Sequence, residues 1–279
     1  METEYSVLMS VYKAEVSDNL SNSLCSMLEQ TLPPKQIVLV CDGPLTEQLD
    51  IIIDQFENQY SVLHVVRLTE NRGLGPALNE GLLHCRNEFI VRMDSDDISA
   101  PDRCRKQLDF MQEYSLDLCS AAVIEFVEEG KITGQRTLPT SHKELITFAY
   151  KRNPMNHPCV VFRKGMVKKA GGYHHMPCFE DYDLWVRMIL EGAKLGNYPE
   201  PLLYMRAGRC LYRRRSGFQY CRCIIRFWRK MGRIGFCGQL RVWGNIAVRC
   251  AVSMLPSKGV QFFYQNGLRT SEGKHDEAL

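Results

Sequence analysis

The segment Phe89-Ile-Val-Arg-Met-Asp94-Ser95-Asp96-Asp97 decides how the rest of this chain is interpreted. Its first five residues are mostly apolar and predict a buried strand, whereas its end carries three carboxylates within four residues. Carboxylates this close repel one another, so a protein that keeps them together usually places a cation between them. Ligands of open α/β sheets bind beyond the carboxyl ends of the strands. The segment therefore predicts a divalent metal site that serves a phosphate-bearing substrate.

Before this segment, short apolar strands alternate with amphipathic helices along the chain. Strands are predicted at residues 5–10, 37–41 and 62–67, and helices at residues 17–30, 45–56 and 77–85. The Gly-Leu-Gly-Pro run at residues 73–76 is predicted to be a loop before the last helix. This alternation is typical of a parallel sheet with right-handed crossovers. Residues 1–115 are therefore interpreted as a nucleotide-binding half of Rossmann type.

The pattern changes after residue 115. Two strands at residues 118–126 and 131–133 are predicted to form a hairpin around Glu128-Glu-Gly130. Helices at residues 141–150 and 180–191 and a strand at residues 159–162 follow. This mixed pattern suits an acceptor-binding half, residues 116–215, joined to the same sheet. The predicted fold class is thus α/β, a Rossmann-like mixed sheet flanked by helices.

The composition is that of an ordinary globular protein, but the charge is unevenly distributed. The 279 residues are 45% hydrophobic and 24% charged, which argues against disorder. The formal net charge is +3, yet residues 206–279 hold 15 Lys and Arg against 3 Asp and Glu, which leaves 20 against 29 in residues 1–205. This split indicates an acidic catalytic body and a basic segment that faces an anionic surface, either a membrane or a nucleic acid.

Twelve cysteines are scattered through the chain without a CxxC pair. They predict reduced core thiols in a cytosolic protein rather than a disulfide framework. Glu2 and Glu4 precede the first strand, so we expect no secretory signal. We also expect no transmembrane helix, because no segment offers the ~18 apolar residues of a membrane span. The nearest candidate, residues 245–256, is short and is interrupted by Arg249.

Residues 216–279 predict a tail of basic amphipathic helices. Aromatic and aliphatic side chains are interleaved with arginines at helical spacing, which is typical of a helix lying among lipid headgroups. The alternative is a helical subdomain that packs on the body and leaves a basic face in solvent. The apolar members are Phe218, Ile224, Ile225, Phe227, Trp228, Ile234, Phe236, Leu240, Val242 and Trp243, and the basic members are Arg222, Arg226, Arg229, Lys230, Arg233 and Arg241.

Polar residues end three of the predicted strands, and the carboxyl ends of parallel strands should converge on one crevice. Ser10 and Tyr12 follow the first strand and Asp42 the second, where a nucleotide would bind. Asp42 can accept a hydrogen bond from a base, although Asp before Gly is also a common turn former. Asp94 and Asp96 can hold Mg²⁺ or Mn²⁺ against a diphosphate. Capping of the next helix is the alternative, but it would explain one carboxylate and not three.

Other candidate residues lie away from these strand ends. Arg72, beside a glycine-rich turn, can approach the phosphates, although a plain loop explains the glycines equally well. Glu180 and Asp181 open a predicted helix, where the helix dipole stabilises carboxylates whatever their purpose. A second carboxylate site is what a reaction needs if one end binds the leaving group and the other deprotonates the nucleophile. His157 can line the acceptor side or serve as a structural, hydrogen-bonded residue.

Ordered motifs run across residues 5–206, roughly three quarters of the chain. The motifs are Ser6-Val-Leu-Met-Ser-Val-Tyr12, Val40-Cys-Asp-Gly43, Asn71-Arg-Gly-Leu-Gly75 with Ala77-Leu-Asn79, Asp94-Ser-Asp-Asp97 with Pro101-Asp-Arg103, Asn156-His-Pro158, Gly171-Gly-Tyr173 and Glu180-Asp-Tyr-Asp-Leu-Trp185. Together they resemble the motifs of the family 2 inverting glycosyltransferases of GT-A fold. The resemblance implies that Asp42 contacts uracil, that Asp94 and Asp96 form a DXD motif for ribose, diphosphate and metal, and that Asp181 is the base.

Two positions depart from the family pattern. Cys41 stands where the family often has the first of two acids before the glycine. Arg206 and Arg209 occupy the region where many members have a His, so we expect no His ligand to the metal and a diphosphate contact from one of these arginines instead. Asp97 is left without a role in the motif, and we expect it to cap the following turn.

The reaction that the resemblance implies is a single displacement that leaves a β-glycosidic bond. Chains with this layout and a basic tail are similar to bacterial enzymes that build O-antigen, capsule or exopolysaccharide. The implied donor is a UDP-sugar carrying a hexose or N-acetylhexosamine, and the implied acceptor is a saccharide on a polyprenyl diphosphate. The implied location is the cytoplasmic face of the inner membrane, with residues 216–279 on its anionic surface and no nucleic acid as a partner.

Two other functions explain part of the sequence. A sugar nucleotidyltransferase also combines such a sheet with metal-binding carboxylates, but Ser10-Val-Tyr-Lys13 lacks the glycine-rich, arginine-bearing loop expected after its first strand. A non-catalytic protein that binds nucleic acid or another anionic surface would explain the basic tail. It would leave the acidic crevice without a purpose.

Overall fold

The computed structural model describes residues 3–128, 130–207 and 217–255. Arg209 and residues 256–279 of the predicted tail lie outside these ranges. In chain order the strands are β1 (Tyr5–Val11), β2 (Gln36–Cys41), β3 (Leu63–Arg67), β4 (Phe89–Asp94), β5 (Ile98–Ser99), β6 (Leu118–Phe126), β7 (Ile132–Arg136), β8 (Val161–Arg163) and β9 (Leu195–Arg206). The helices are α1 (Ser17–Leu28), α2 (Glu47–Gln59), α3 (Leu74–His84), α4 (Arg103–Glu113), α5 (His142–Ala149), α6 (Lys164–Lys169), α7 (Glu180–Leu190), α8 (Phe218–Arg233) and α9 (Gln239–Ser253).

These strands form one mixed sheet. Their order is β3-β2-β1-β4-β8-β6-β9-β5, with β7 paired to β6. The first four strands of that order are mutually parallel. β8 is antiparallel to both β4 and β6 and so joins the parallel part to the second part. The predicted fold class is confirmed, including the hairpin of β6 and β7.

Helices cover both faces of the sheet. Successive side chains of a strand point to opposite faces, so a strand that is apolar throughout packs against helices on both sides. Tyr5, Val7 and Met9 of β1 pack with α1, α2 and α4 on one face. Leu8 packs with α3 and α7 on the other. A Cβ on Gly81 of α3 would lie 2.4 Å from the Leu8 Cδ1 atom, so α3 approaches the sheet too closely for any larger residue there. This close packing fixes the positions of the strand ends, which carry the polar residues predicted to form the site.

Several predicted boundaries were wrong: the strand predicted at residues 131–133 extends to Arg136, and the helix predicted at residues 45–56 extends to Gln59. Two other differences have a clear local cause. α3 begins at Leu74, because Gly73 adopts a φ of +88° as the N-cap residue and Pro76 fits the first helical turn, where its missing N–H is not needed. The strand predicted from residue 159 begins only at Val161, since residues 157–159 form a short 3₁₀ helix.

Helices α8 and α9 pack on the body through a third hydrophobic cluster. Phe227 and Trp228 of α8 and Val242 of α9 are buried there with Phe179 and Tyr182. The ring centroid of Phe227 lies 4.7 Å from that of Phe179 and 4.6 Å from that of Tyr182. The apolar face of α8 therefore packs on the body. This agrees with the second of the two predictions for the tail, a helical subdomain packed on the body. No helix in the described part of the chain has both the length and the apolar character to cross a bilayer.

A buried carboxylate on α7 ties α8 to the body. Asp183 is fully buried, and its Oδ2 lies 2.9 Å from Arg187 Nε and 3.4 Å from His174 Nδ1. Its Oδ1 pairs with the ammonium group of Lys230, which belongs to α8. A buried charge is retained only where it is paired, so this contact fixes the position of α8 against α7.

We expect Asp183→Asn to lower the free energy of unfolding by about 3 kcal/mol, because it leaves Arg187 and Lys230 without their shared buried counter-ion. Urea denaturation of the purified protein measures this change. Asp109→Asn, on the exposed face of α4, is the matched control and should stay within about 0.5 kcal/mol of the parent. Equal stability of the two variants would contradict the account.

Candidate active site

Three carboxylates meet at the carboxyl end of β4. One oxygen from each of Asp94, Asp96 and Asp97 lies within 4.8 Å of the others. Asp94 contacts the guanidinium of Arg92, and Asp97 Oδ1 accepts a 2.7 Å hydrogen bond from the backbone N–H of Arg206 at the end of β9. The prediction that Asp97 caps the following turn is wrong, because its partner is a distant strand. Asp97 Oδ2 is buried and has no hydrogen-bond partner among the described residues.

Burial and mutual repulsion raise the pKa values in this acidic cluster. Burial, followed by the charges of Asp94 and Glu15, raises the pKa of Asp96 to about 7. Burial, followed by Asp94 and Asp96, also raises the pKa of Asp97. A divalent cation would remove this repulsion, and carboxylate oxygens are the ligands that Mg²⁺ and Mn²⁺ prefer. The close oxygens and the unpartnered Asp97 Oδ2 fit such an ion.

Arg92 in β4 is a buried cation that sequence reasoning treated as part of an apolar strand. Its side chain is 1% exposed, and its Nε and Nη1 atoms have no hydrogen-bond partner within the described ranges. Its charge opposes the effect of burial on the pKa values of Asp97, Glu180 and Asp181. Arg92 therefore acts electrostatically on both acidic sites. A lone arginine inside a strand of Phe, Ile, Val and Met was the signal that could have revealed it.

The end of β1 lies beside the acidic cluster, as predicted from the convergence of strand ends. Ser10 is the register neighbour of Asp94 across β1 and β4, and Tyr12 just beyond is 41% exposed. Glu15 follows in the same loop and accepts a 2.6 Å hydrogen bond from Ser95 Oγ. Sequence reasoning missed Glu15, because nothing in its local pattern shows that it contacts a segment 80 residues later.

Asp42 organises the loop that leads into α3. Its Oδ1 accepts a 2.7 Å hydrogen bond from the backbone N–H of Arg72, and its Oδ2 accepts a 2.9 Å bond from that of Gly73. The side chain of Arg72 lies at the surface, 3.7 Å from Glu70. Asp42 thus has a structural role like that of a turn former, and its contact with a base stays a prediction. Each carboxylate oxygen retains a further lone pair for such a contact.

The second carboxylate site is Asp181 at the start of α7, in the wall of a cavity of about 750 Å³. Its Oδ2 accepts a 2.5 Å hydrogen bond from Asn153 Nδ2, and its Oδ1 accepts a 2.7 Å bond from the backbone N–H of Tyr182. Burial raises the pKa of Asp181, whereas these hydrogen bonds and the charges of Arg92 and Arg136 lower it. The carboxylate is therefore oriented and faces a space large enough for a saccharide.

His157 and Glu180 lie on different sides of Asp181. His157 lines the same cavity, with its Nε2 atom 3.1 Å from the hydroxyl oxygen of Tyr173, and burial lowers its pKa so that the ring is neutral. Glu180 does not line this cavity; its Cβ lies 3.7 Å from the place that a Cβ on Gly75 would take, near the start of α3. Burial and the charge of Asp181 raise the pKa of Glu180 to about 6.

Comparison with known families identifies the family of this chain. The model of the family "Glycosyl transferase family 2" matches residues 6–171. The chain belongs to glycosyl transferase family 2. This glycosyltransferase is 39% identical over 262 residues to the amylovoran biosynthesis glycosyltransferase AmsE of Erwinia amylovora, with 94% of this chain and 98% of that protein covered. It is 30% identical over 267 residues to the UDP-Gal:alpha-D-GlcNAc-diphosphoundecaprenol beta-1,3-galactosyltransferase of Escherichia coli, with 95% and 97% covered.

Solved structures share the fold of this glycosyltransferase. S. aureus TarS 1-349 in complex with UDP-GlcNAc superposes with a TM-score of 0.66 at 17% identity, covering 96% of this chain and 77% of that one. The mannosyltransferase PcManGT from Pyrobaculum calidifontis, in complex with GDP-Man and Mn²⁺, gives a TM-score of 0.64 at 15% identity, covering 94% and 79%. The family and the GT-A fold predicted from the sequence motifs are confirmed. The family match favours the glycosyltransferase over the nucleotidyltransferase and the non-catalytic binding protein.

We expect the metal-free Asp96→Asn variant to be more stable than the parent protein at pH 8, by on the order of 1–2 kcal/mol. This value allows for screening of the charge by solvent, which reduces the effect. The pKa of Asp96 is raised to about 7 in the folded state, so its ionisation costs stability progressively as the pH rises from about 4 to about 7. Urea denaturation in EDTA at pH 5 and pH 8 measures the difference. Asp109→Asn is the exposed control, and a parent protein whose stability does not fall relative to Asp96→Asn over this range would contradict the prediction.

Proposed function

We propose that this protein is an inverting glycosyltransferase that transfers a hexose or N-acetylhexosamine from a UDP-sugar to a saccharide on a polyprenyl diphosphate, in bacterial surface polysaccharide synthesis. The observation that carries the proposal is the pair of acidic sites, the cluster at the end of β4 and Asp181 in the cavity wall. The E. coli relative is named for transfer from UDP-Gal to a GlcNAc-diphosphoundecaprenol, which supports these donor and acceptor classes. The UDP-GlcNAc bound by TarS supports a UDP-sugar.

The donor would bind over β1, β2 and β4. Asp42 would accept a hydrogen bond from the base, Ser10 and Tyr12 would lie beside the nucleoside, and Arg72 and Arg206 would be available to the diphosphate. Asp94 and Asp96 would hold Mg²⁺ or Mn²⁺, and Asp97, in the same cluster, is a third candidate ligand. When bound, the ion supplies positive charge opposite the departing diphosphate. The Mn²⁺ in the PcManGT complex supports this choice of metal.

Asp181 would act as the base on the acceptor. An acceptor hydroxyl in the cavity donates its proton to the Asp181 carboxylate, and the oxygen attacks the anomeric carbon as the bond to the diphosphate breaks. Attack from the side opposite the leaving group inverts an α-linked donor to a β-linked product. Asn153 holds the carboxylate by a 2.5 Å hydrogen bond to Oδ2, which favours the ionised form that the reaction needs. His157, which lines the cavity, would contact the acceptor, whereas Glu180, which was predicted for the acceptor side, lies outside this cavity.

The C-terminal helices would place the enzyme at the cytoplasmic surface of the inner membrane. Arg222, Arg226, Arg229 and Arg233 form one exposed stripe along α8, and they line a shallow groove of about 390 Å³. The sequence has no Asp or Glu from residue 201 to residue 271, so nothing acidic in α8 or α9 offsets this stripe. Anionic headgroups attract such a surface by about 1 kcal/mol per basic residue. The membrane contact is thus assigned to this stripe and not to the buried aromatic face of α8.

We expect Asp181→Asn to lower kcat by about 10²–10⁴-fold while UDP binding is retained, because the amide cannot accept the proton. Asp96→Asn should instead lose the Mn²⁺-dependent increase in UDP affinity. Transfer from a panel of UDP-sugars to a synthetic saccharide-diphosphate-lipid, with calorimetry of UDP binding, separates the two effects. Near-parental turnover by Asp181→Asn would overturn the assignment of the base.

We expect replacement of Arg222, Arg226, Arg229 and Arg233 by Gln to reduce co-flotation with liposomes rich in anionic lipid by tenfold or more at physiological salt. Neutral liposomes should bind neither protein. The matched control replaces four exposed cations of the body, Lys35, Arg86, Lys143 and Lys168, by Gln. Equal flotation of the two quadruple variants would contradict a role for this particular stripe.

A further inference from the structure

The cavity that contains Asp181 has a basic wall to which the proposed transfer step assigns no role. Five cationic side chains line the cavity against two carboxylates, Glu125 and Asp181. Two of the cations, Arg241 and Arg249, belong to α9, so the C-terminal helices form part of the site. The side chains assigned to the donor at the ends of β1, β2 and β4 do not line this cavity. An anion bound here would therefore contact side chains other than those assigned to the diphosphate of the donor.

The two arginines of α9 are joined to the segment of residues 150–153. Arg249 donates a hydrogen bond from Nη2 to the carbonyl oxygen of Lys151, and the guanidinium of Arg241 lies 4.6 Å above the ring of Tyr150. The segment ends in Asn153, which holds the carboxylate of Asp181. The guanidinium of Arg249 also lies 5.7 Å from the ring centroid of Trp228. A guanidinium has five N–H donors, so one carbonyl bond and such ring contacts leave donors for an anion. The cations are thus held in place by the same short segment that orients the base.

Apolar side chains of the C-terminal helices also line the cavity. Among them are Ile224 of α8 and Val248 and Val252 of α9, and Val248 is 61% exposed. The described residues therefore offer a carboxylate, arginines and apolar side chains around one cavity, with one of the apolar side chains at the protein surface. A saccharide on a lipid diphosphate presents the matching chemistry: a hydroxyl, a diphosphate and a hydrocarbon chain. The cavity has a volume of about 750 Å³, which is in the range of pockets that enclose a small ligand.

We propose that Arg241 and Arg249, with Arg152 from the facing segment, form the subsite for the diphosphate of the acceptor, and that Val248 and Val252 contact the first units of its lipid. Arginine suits this role because its planar fork binds phosphate oxygens in pairs. The assignment rests on the proposed function, since it names the residues that recognise the acceptor of that reaction. It gives the C-terminal helices a part in substrate selection as well as in membrane contact.

Binding of farnesyl diphosphate to the full-length protein, in EDTA and without donor, tests the subsite directly. The double variant Arg241→Gln/Arg249→Gln should bind it at least tenfold more weakly than the parent, since hydrogen bonds to charged groups are lost. Lys35→Gln/Arg86→Gln, at exposed positions outside the cavity, should leave the affinity unchanged. Equal affinity of the parent and the Arg241→Gln/Arg249→Gln variant would overturn the proposal.

A kinetic comparison excludes a purely structural effect on residues 150–153. With a saccharide-diphosphate-lipid acceptor, the double variant should raise KM at least tenfold, whereas with the alkyl glycoside of the same saccharide KM and kcat should stay near parental values. Equal loss with both acceptors would assign the arginines to folding of the site and overturn the proposal. If the parent transfers sugar to neither acceptor, the proposed function fails, and the farnesyl diphosphate measurement still decides the subsite.

Discussion

Repulsion among three carboxylates at the end of β4 is the constraint around which the catalytic half of this protein is arranged. One oxygen from each of Asp94, Asp96 and Asp97 lies within 4.8 Å of the others, and burial, followed by the charges of Asp94 and Glu15, raises the pKa of Asp96 to about 7. The protein offsets this repulsion with Arg92 beneath the cluster and with Arg206, whose backbone N–H and guanidinium both bond to the acidic loop. The contact between Arg206 and the acidic loop depends on the sheet. The loop after β4 and the end of β9 lie at the same edge, although their residues are more than a hundred positions apart in the sequence.

The second half of the site depends on packing and not on charge alone. Helix α7 begins with Glu180, carries Asp181 in the cavity wall and buries Asp183 two residues later, so one helix both presents the proposed base and fixes the position of α8. The aromatic contacts of Phe227 with Phe179 and Tyr182 hold α8 against the loop before α7. The cavity of Asp181 lies where these elements meet α9. The described C-terminal helices, which the charge distribution predicted to be a tail, therefore form part of the wall of this cavity.

The sequence predicted the features that depend on local patterns. The alternation of apolar strands and amphipathic helices up to residue 115 predicted that β1 to β4 form a parallel sheet, and the motifs ending the strands predicted that Ser10, Asp42 and the acidic cluster lie at one edge. It did not predict features that depend on contacts between distant residues. No local sequence pattern indicates the hydrogen bond from Arg206 to Asp97 or the one from Ser95 to Glu15. The same is true of the burial of Arg92. For the same reason, local spacing left open whether Phe227 and Trp228 of α8 lie among lipid headgroups or pack on the body, and the fold shows that they are buried.

The central claim is that the acidic cluster holds the leaving group and its metal while Asp181 faces the nucleophile. Anomalous diffraction from crystals grown with Mn²⁺ and UDP tests this division most directly. The account predicts one Mn²⁺ peak coordinated by carboxylates of Asp94, Asp96 or Asp97 and by the diphosphate, with no peak at Asp181. A Mn²⁺ ion bound to Asp181, or UDP bound in the cavity of Asp181, would contradict it.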